Sequence, residues 1–130
     1  MAHPNEELLR GLYDELQRGN PTALIERLHD DVVWHIPGRN PLSGDHRGRE
    51  TVLRSLAQPI ELLEGGEIRY ETHDIVAGDE HGIVLSTASG RRLGKTLGVN
   101  VVQVFHISDG MITEVWNHPS DQYAVDDFWS

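Results

Sequence analysis

Four groups of residues in this 130-residue chain carry side chains that could do acid–base or metal chemistry or orient a ligand. His35 sits between Trp34 and Ile36 in an apolar run, where an imidazole could act as a general base or touch a ligand. Asp45-His46-Arg47 places an acid, a base and a guanidinium side by side, although Asp45 can equally cap a turn and Arg47 pair with nearby acids. His118-Pro119-Ser120-Asp121 offers two ligand-type side chains, with Asp121 as a candidate acid or a capping aspartate. Gln103 and Asn117 are amides in otherwise apolar segments, able to orient a carbonyl or hydroxyl but not to titrate. The eight histidines occur singly, with no H-E-x-x-H and no tight pair, so no metal is expected. No G-x-S-x-G elbow is present, the glycines read as turns and form no P-loop, and no cofactor is expected. There is no cysteine, which excludes disulfides and thiolate chemistry.

These residues must be positioned by elements that the patterning delimits. Leu8, Leu9, Leu12, Tyr13 and Leu16 recur at helical spacing after Asn5, a candidate cap, and Gly19 ends the helix. Asn20-Pro21 starts a second helix with Leu24, Ile25 and Leu28 as its stripe, closed by His29-Asp30-Asp31. Val32 to Ile36 is β-branched and aromatic and reads as a short strand; residues 37–47 read as loop. A third helix starts near Gly48, carries Val52, Leu53 and Leu56, and should end before Pro59. Residues 67–77, 81–90, 95–107 and 111–118 read as strands joined by hairpin turns at Gly78-Asp79, Gly90 to Gly94 and Asp109-Gly110. Helices followed by an antiparallel meander give an α+β domain occupying the whole chain, 1–130.

Alternation assigns faces. With Gln103 inward, Val101 and Phe105 follow; with Trp34 inward, so do Val32 and Ile36, leaving His35 outward. Val115 and Asn117 on the last strand, and Val84, Ser86 and Ala88 on the middle hairpin, complete the inner set. The strand from 99 to 107 is apolar on both faces, so helices should cover one side and a second copy the other, giving a homodimer through the sheet. Tyr123, Phe128 and Trp129 should pack on the sheet, the pocket mouth or the partner.

The ordering of Leu12-Tyr13-Asp14-Glu15-Leu16-Gln17-Arg18-Gly19-Asn20, Leu28-His29-Asp30-Asp31-Val32-Val33-Trp34, Gly44-Asp45-His46-Arg47-Gly48-Arg49-Glu50 and Asp109-Gly110-Met111-Ile112-Thr113-Glu114-Val115-Trp116 resembles the nuclear-transport-factor-two-like superfamily. Within it the chain is most similar to the SnoaL-like branch, with polyketide cyclases and ketosteroid isomerase as relatives. The resemblance implies a cone-shaped curved sheet packed against three N-terminal helices. It also implies a pocket for a small hydrophobic molecule, lined here by Tyr13, Trp34, Ile36, Ser86, Val101, Gln103, Phe105, Val115 and Asn117. By position the isomerase base falls on Ile36, its acid on Gln103 and its tyrosine on Leu12, with Tyr13 next. The cyclase histidine and aspartate fall on Gln103 and Asn117, and no inward Asp-Arg-Asp set of the epoxide hydrolase kind appears. Two function classes follow: an isomerase or cyclase-type enzyme with His35, Gln103, Asn117 and Asp121 as candidate catalytic groups, or a non-catalytic ligand-binding or scaffold dimer.

Eleven basic against 21 acidic residues give a formal charge of −10, which argues against nucleic acid and against anionic membrane as partners. The start lacks a basic stretch followed by an apolar run, and no run is long enough to span a bilayer, so a cytoplasmic location is expected.

Overall fold

The structure is a computed structural model that describes residues 3–63 and 65–130, and every element below belongs to those residues. Along the chain come α1 (Pro4–Gln17), α2 (Thr22–Arg27), β1 (Leu28–Ile36), β2 (Gly44–Arg47), α3 (Arg49–Leu62), β3 (Glu67–Ala77), β4 (His81–Arg92), β5 (Lys95–Ser108), β6 (Met111–Pro119) and α4 (Gln122–Trp129). The strands form one curved sheet in the order β2-β1-β6-β5-β4-β3. Neighbours are antiparallel except β1 and β6, which run parallel. The α+β cone expected from the sequence is therefore present, as a mixed sheet and with a fourth helix. No helix among the described residues is long and apolar enough to cross a membrane.

Turn chemistry builds the meander. Asp109 and Gly110 both adopt positive φ (50° and 75°), and so do Leu93 and Gly94 (51° and 77°). Two consecutive left-handed residues match the twist of the strands they join, as in a type I′ hairpin. Burial alternates strictly along β4, with Val84, Ser86 and Ala88 inward and Ile83, Leu85 and Thr87 on the outer face. α1 packs on β3 and β4, α3 on β1 and β2, and α4 on β5.

The inner face divides into two apolar clusters. One gathers Leu9 and Leu12 of α1 with Trp34, Val84, Phe105, Ile107 and Val115. The other gathers Leu42, Ala88, Leu97 and Val99 beneath Phe128 and Trp129 of α4. α4 thus covers the inner face beside the β4–β5 turn. Arg92 ties it to α3, its Nε donating to Leu62 O of α3 (2.7 Å) and its Nη1 to the main-chain oxygens of Phe128 (2.8 Å) and Ser130 (3.1 Å). Asp126 fastens it from the side, accepting from the Arg39 backbone N–H (2.9 Å) and the Asn40 amide (2.8 Å). Gly38 makes that approach possible: its φ is +95°, and a β-carbon there would overlap the Gln122 amide and the Asp126 carboxylate.

Several expectations are corrected. The cap of α1 is His3, whose Nδ1 accepts from Asn5 N (3.1 Å), while Asn5 donates its amide to the carbonyls of Gly78 and Asp79. His29-Asp30-Asp31 does not close α2 but lies in β1, where a register shift between Leu28 and Val33 absorbs the polar residues. Gly44–Arg47, whose turn-type composition reads as loop, pairs with β1 as β2. Pro59 does not stop α3, because it sits in the last turn, where Leu63 N still closes on Pro59 O. Tyr123 is 89% exposed: on the eight-residue α4 it lies opposite the face that buries Phe128 and Trp129.

Candidate functional site

Between the two apolar clusters the inner face carries a belt of polar side chains. Gln103 on β5 stands opposite Asn117 on β6, and its Nε2 donates to Asn117 Oδ1 at 2.8 Å. Asn117 Nδ2 donates in turn to the carbonyl of His35 on β1 at 2.8 Å. On the other side the Tyr13 hydroxyl of α1 donates to Gln103 Oε1. Thr72 on β3 and Ser86 on β4 pair their hydroxyls at 3.2 Å. The belt therefore consists of two separate hydrogen-bonded groups, the Thr72–Ser86 pair on β3 and β4 and the Tyr13–Gln103–Asn117 chain that ends on the backbone of β1, and every member has a partner. Tyr13, Ile36, Val101, Gln103 and Asn117 are half-buried, whereas Trp34, Ser86, Phe105 and Val115 are buried. Phe105 meets Tyr13 and Trp34 edge-on, both at 6.3 Å between centroids, which fixes the rings behind the belt.

Burial pushes the Tyr13 hydroxyl above its ordinary pKa, and the neighbouring Tyr70 raises it further. Tyr13 is thus a neutral donor at every physiological pH. Tyr70 and Thr72 are inner-face residues that strand alternation alone does not reveal. Their pattern breaks at the register shift between Thr72 and Asp74, which separates them in phase from Ile75.

The titratable candidates lie elsewhere. His35 projects from the outer face, its Nδ1 at 2.6 Å from Asp45 Oδ1 and its Nε2 at 2.6 Å from Glu114 Oε2. Its ring stacks on Trp116 (5.2 Å, 14° between planes), and Trp116, His106 and His81 continue the row edge-on across β6, β5 and β4. His118 is exposed. Asp121 caps α4, its Oδ1 accepting from Ala124 N at 3.1 Å. Of the four candidate catalytic groups, only the two amides enter the cone. Among the described residues no three His, Asp or Glu side chains are grouped to hold a metal ion. A surface depression of about 470 Å³ beside the β4–β5 turn contains none of the candidate residues.

The outer histidine makes the strand tie pH-dependent. Burial alone would lower its pKa, but the hydrogen bonds to Glu114 and Asp45 outweigh burial and hold it above 6.5. A raised folded-state value means that the stabilisation is complete below the unfolded pKa and is lost as pH rises through the folded one. The urea midpoint should therefore fall as pH rises from 6.5 through the raised folded-state value, and His35→Phe, which keeps the stack on Trp116, should flatten that slope. An NMR titration placing the His35 midpoint at or below 6.5 would contradict the tie.

The model of the SnoaL-like domain matches residues 9–115. The chain is 24% identical over 125 residues to an uncharacterised protein of Mycobacterium tuberculosis, covering 95% of each. Among solved structures, Bal32a from a soil-derived mobile gene cassette superposes with a TM-score of 0.87 at 28% identity, over 97% of this chain and 96% of that one. A cystatin-like-fold protein of unknown function from Xanthomonas campestris gives 0.85 at 29%, over 95% and 96%.

Proposed function

Because the chain belongs to the SnoaL-like domain family, we propose that its cone binds a small, uncharged, largely apolar organic molecule by orientation rather than by proton transfer. The observation that carries this reading is the Tyr13–Gln103–Asn117 chain, a line of neutral donors and acceptors set between two apolar clusters. A flat apolar ligand gains by burial against Val101 and Ile36, and a carbonyl or hydroxyl on it exchanges into the belt. General acid–base chemistry needs a titrating group within hydrogen-bonding reach of the ligand. Here the positions corresponding to the isomerase and cyclase acids and bases hold Ile36, Gln103 and Asn117, while His35, His118 and Asp121 are committed outside the cone. The net charge of −10 disfavours a carboxylate ligand.

Titration with 2-naphthol, an uncharged aromatic alcohol, should shift the side-chain amide signals of Gln103 and Asn117 saturably, and a Δ5-3-ketosteroid should not be isomerised. Isomerisation at an enzymatic rate would overturn the non-catalytic reading in favour of an isomerase or cyclase type, in which the neutral Tyr13 hydroxyl would polarise the carbonyl.

We also propose a homodimer through the outer sheet face, where Val33, Ile83, Leu85, Val102, Val104 and Trp116 form an apolar surface that no described helix covers. Sedimentation of the intact chain as a monomer at micromolar concentration would remove it.

A further inference from the structure

The inner face is closed beside the β4–β5 turn. α4 lies across it with Phe128 wholly buried and Trp129 4% exposed, and backbone carbonyls of its last turn are held by Arg92 and Lys95. An opening exists beside the belt. A groove of about 220 Å³ runs along the seam between α1 and β3. On the helix it is lined by Arg10, Tyr13 and Gln17, which fall on one stripe at spacings of three and four residues, and on the strand by Thr72, His73 and Asp74. Tyr13 and Thr72 belong both to this groove and to the polar belt, so the groove ends on the belt itself. The register shift of β3 falls here as well, between Thr72 and Asp74, where the strand is free of strict pairing with β4. Arg10 bounds one end, its Nη2 donating to Ile75 O at 3.0 Å and lying 3.6 Å from Asp74 Oδ1.

We propose that the α1–β3 seam is the ligand portal: a small uncharged molecule reaches Gln103 and Asn117 by passing between Gln17 and His73, while α4 stays shut. This rests on the binding function proposed above and adds its route. At the rim Arg10 offsets Asp74, and Asp14 leaves the entrance with a net negative charge.

The chain has no cysteine, so an introduced one is its only thiol. Gln17→Cys, on the exposed edge of the groove, and Glu7→Cys, exposed on α1 outside it, are each coupled to a bulky maleimide. The neutral nitroxide 4-hydroxy-TEMPO is then added, and paramagnetic broadening of the Gln103 and Asn117 side-chain amides is read by NMR. This reads access whether or not the nitroxide binds, so it stands apart from the 2-naphthol titration, which reads binding. The expected result is broadening in the unmodified protein and in the Glu7 adduct, reduced at least fivefold in the Gln17 adduct. Equal broadening in both adducts, or none in the unmodified protein, would overturn the portal. Unchanged backbone amide shifts outside α1 and β3 verify that the Gln17 adduct is folded; if those shifts move, Thr72→Trp, which fills the groove from the strand side, replaces it with the same expected protection.

Discussion

Phe128→Ala should cost the fold about 3–5 kcal/mol, the range for truncating a fully buried aromatic. The ring has no exposed surface and meets Trp129 edge-on at 5.0 Å. Its loss leaves a cavity among Leu42, Ala88, Leu97 and Val99. The effect should exceed a simple cavity because α4 is only eight residues long, too short to persist without its docking face. Once it frays, the main-chain oxygens of Phe128 and Ser130 leave Arg92, whose guanidinium is itself buried and loses those partners. Urea denaturation gives the cost directly, and far-UV circular dichroism should show the helix lost below the main transition. A change under about 1 kcal/mol would mean that α4 is not held by this docking face.

The second large effect is expected at Gln103→Leu. The substitution keeps the volume roughly constant but leaves the Tyr13 hydroxyl and Asn117 Oδ1 without their partner. Each stranded polar group costs about 1–3 kcal/mol, toward the low end here because the site is half-buried and water can enter. Removing the stranded hydroxyl should recover part of that, so Tyr13→Phe/Gln103→Leu should be less destabilised than the sum of the two single variants. A coupling of about 1 kcal/mol or more is the signature of a working chain. Strict additivity would mean that Tyr13 and Gln103 are neighbours without energetic dependence. The same variant should abolish the 2-naphthol shift at Asn117, since the amide that orients the alcohol is gone.

Most of this belt is legible in the amino-acid sequence through strand alternation. A period of two places Gln103, Val101 and Phe105 together, and a single inward choice for Trp34 sends His35 outward, where it is found between Asp45 and Glu114. Asp109-Gly110 signals its hairpin because only short polar residues and glycine accept consecutive positive φ cheaply. The parts that are not legible fail for identifiable reasons. Thr72 and Tyr70 lie before a register shift, and a local pattern cannot show where a strand changes phase. β2 is four residues of turn-type composition, held by pairing to β1 rather than by propensity. The parallel contact between β1 and β6 joins segments about eighty residues apart, beyond any local signal. α4 does leave a readable mark, an aspartate three residues before Ala124, but its two terminal aromatics signal burial more strongly than helical form.

The polar belt also bears on how the molecule comes apart. Apolar packing on the inner face is not continuous from end to end: one cluster is anchored by α1, the other by α4, and Ile36 packs against both. A row of hydrogen-bonded side chains couples two such regions less tightly than an unbroken hydrophobic contact would, because water can replace its partners at small cost. The cluster anchored by α1 should therefore exchange its amides only on global unfolding, while the one under the eight-residue α4 should open by itself. In hydrogen exchange, β5 should show both behaviours along its length, with the change falling at Gln103, so that the residues that hold the ligand also mark the line along which the fold yields.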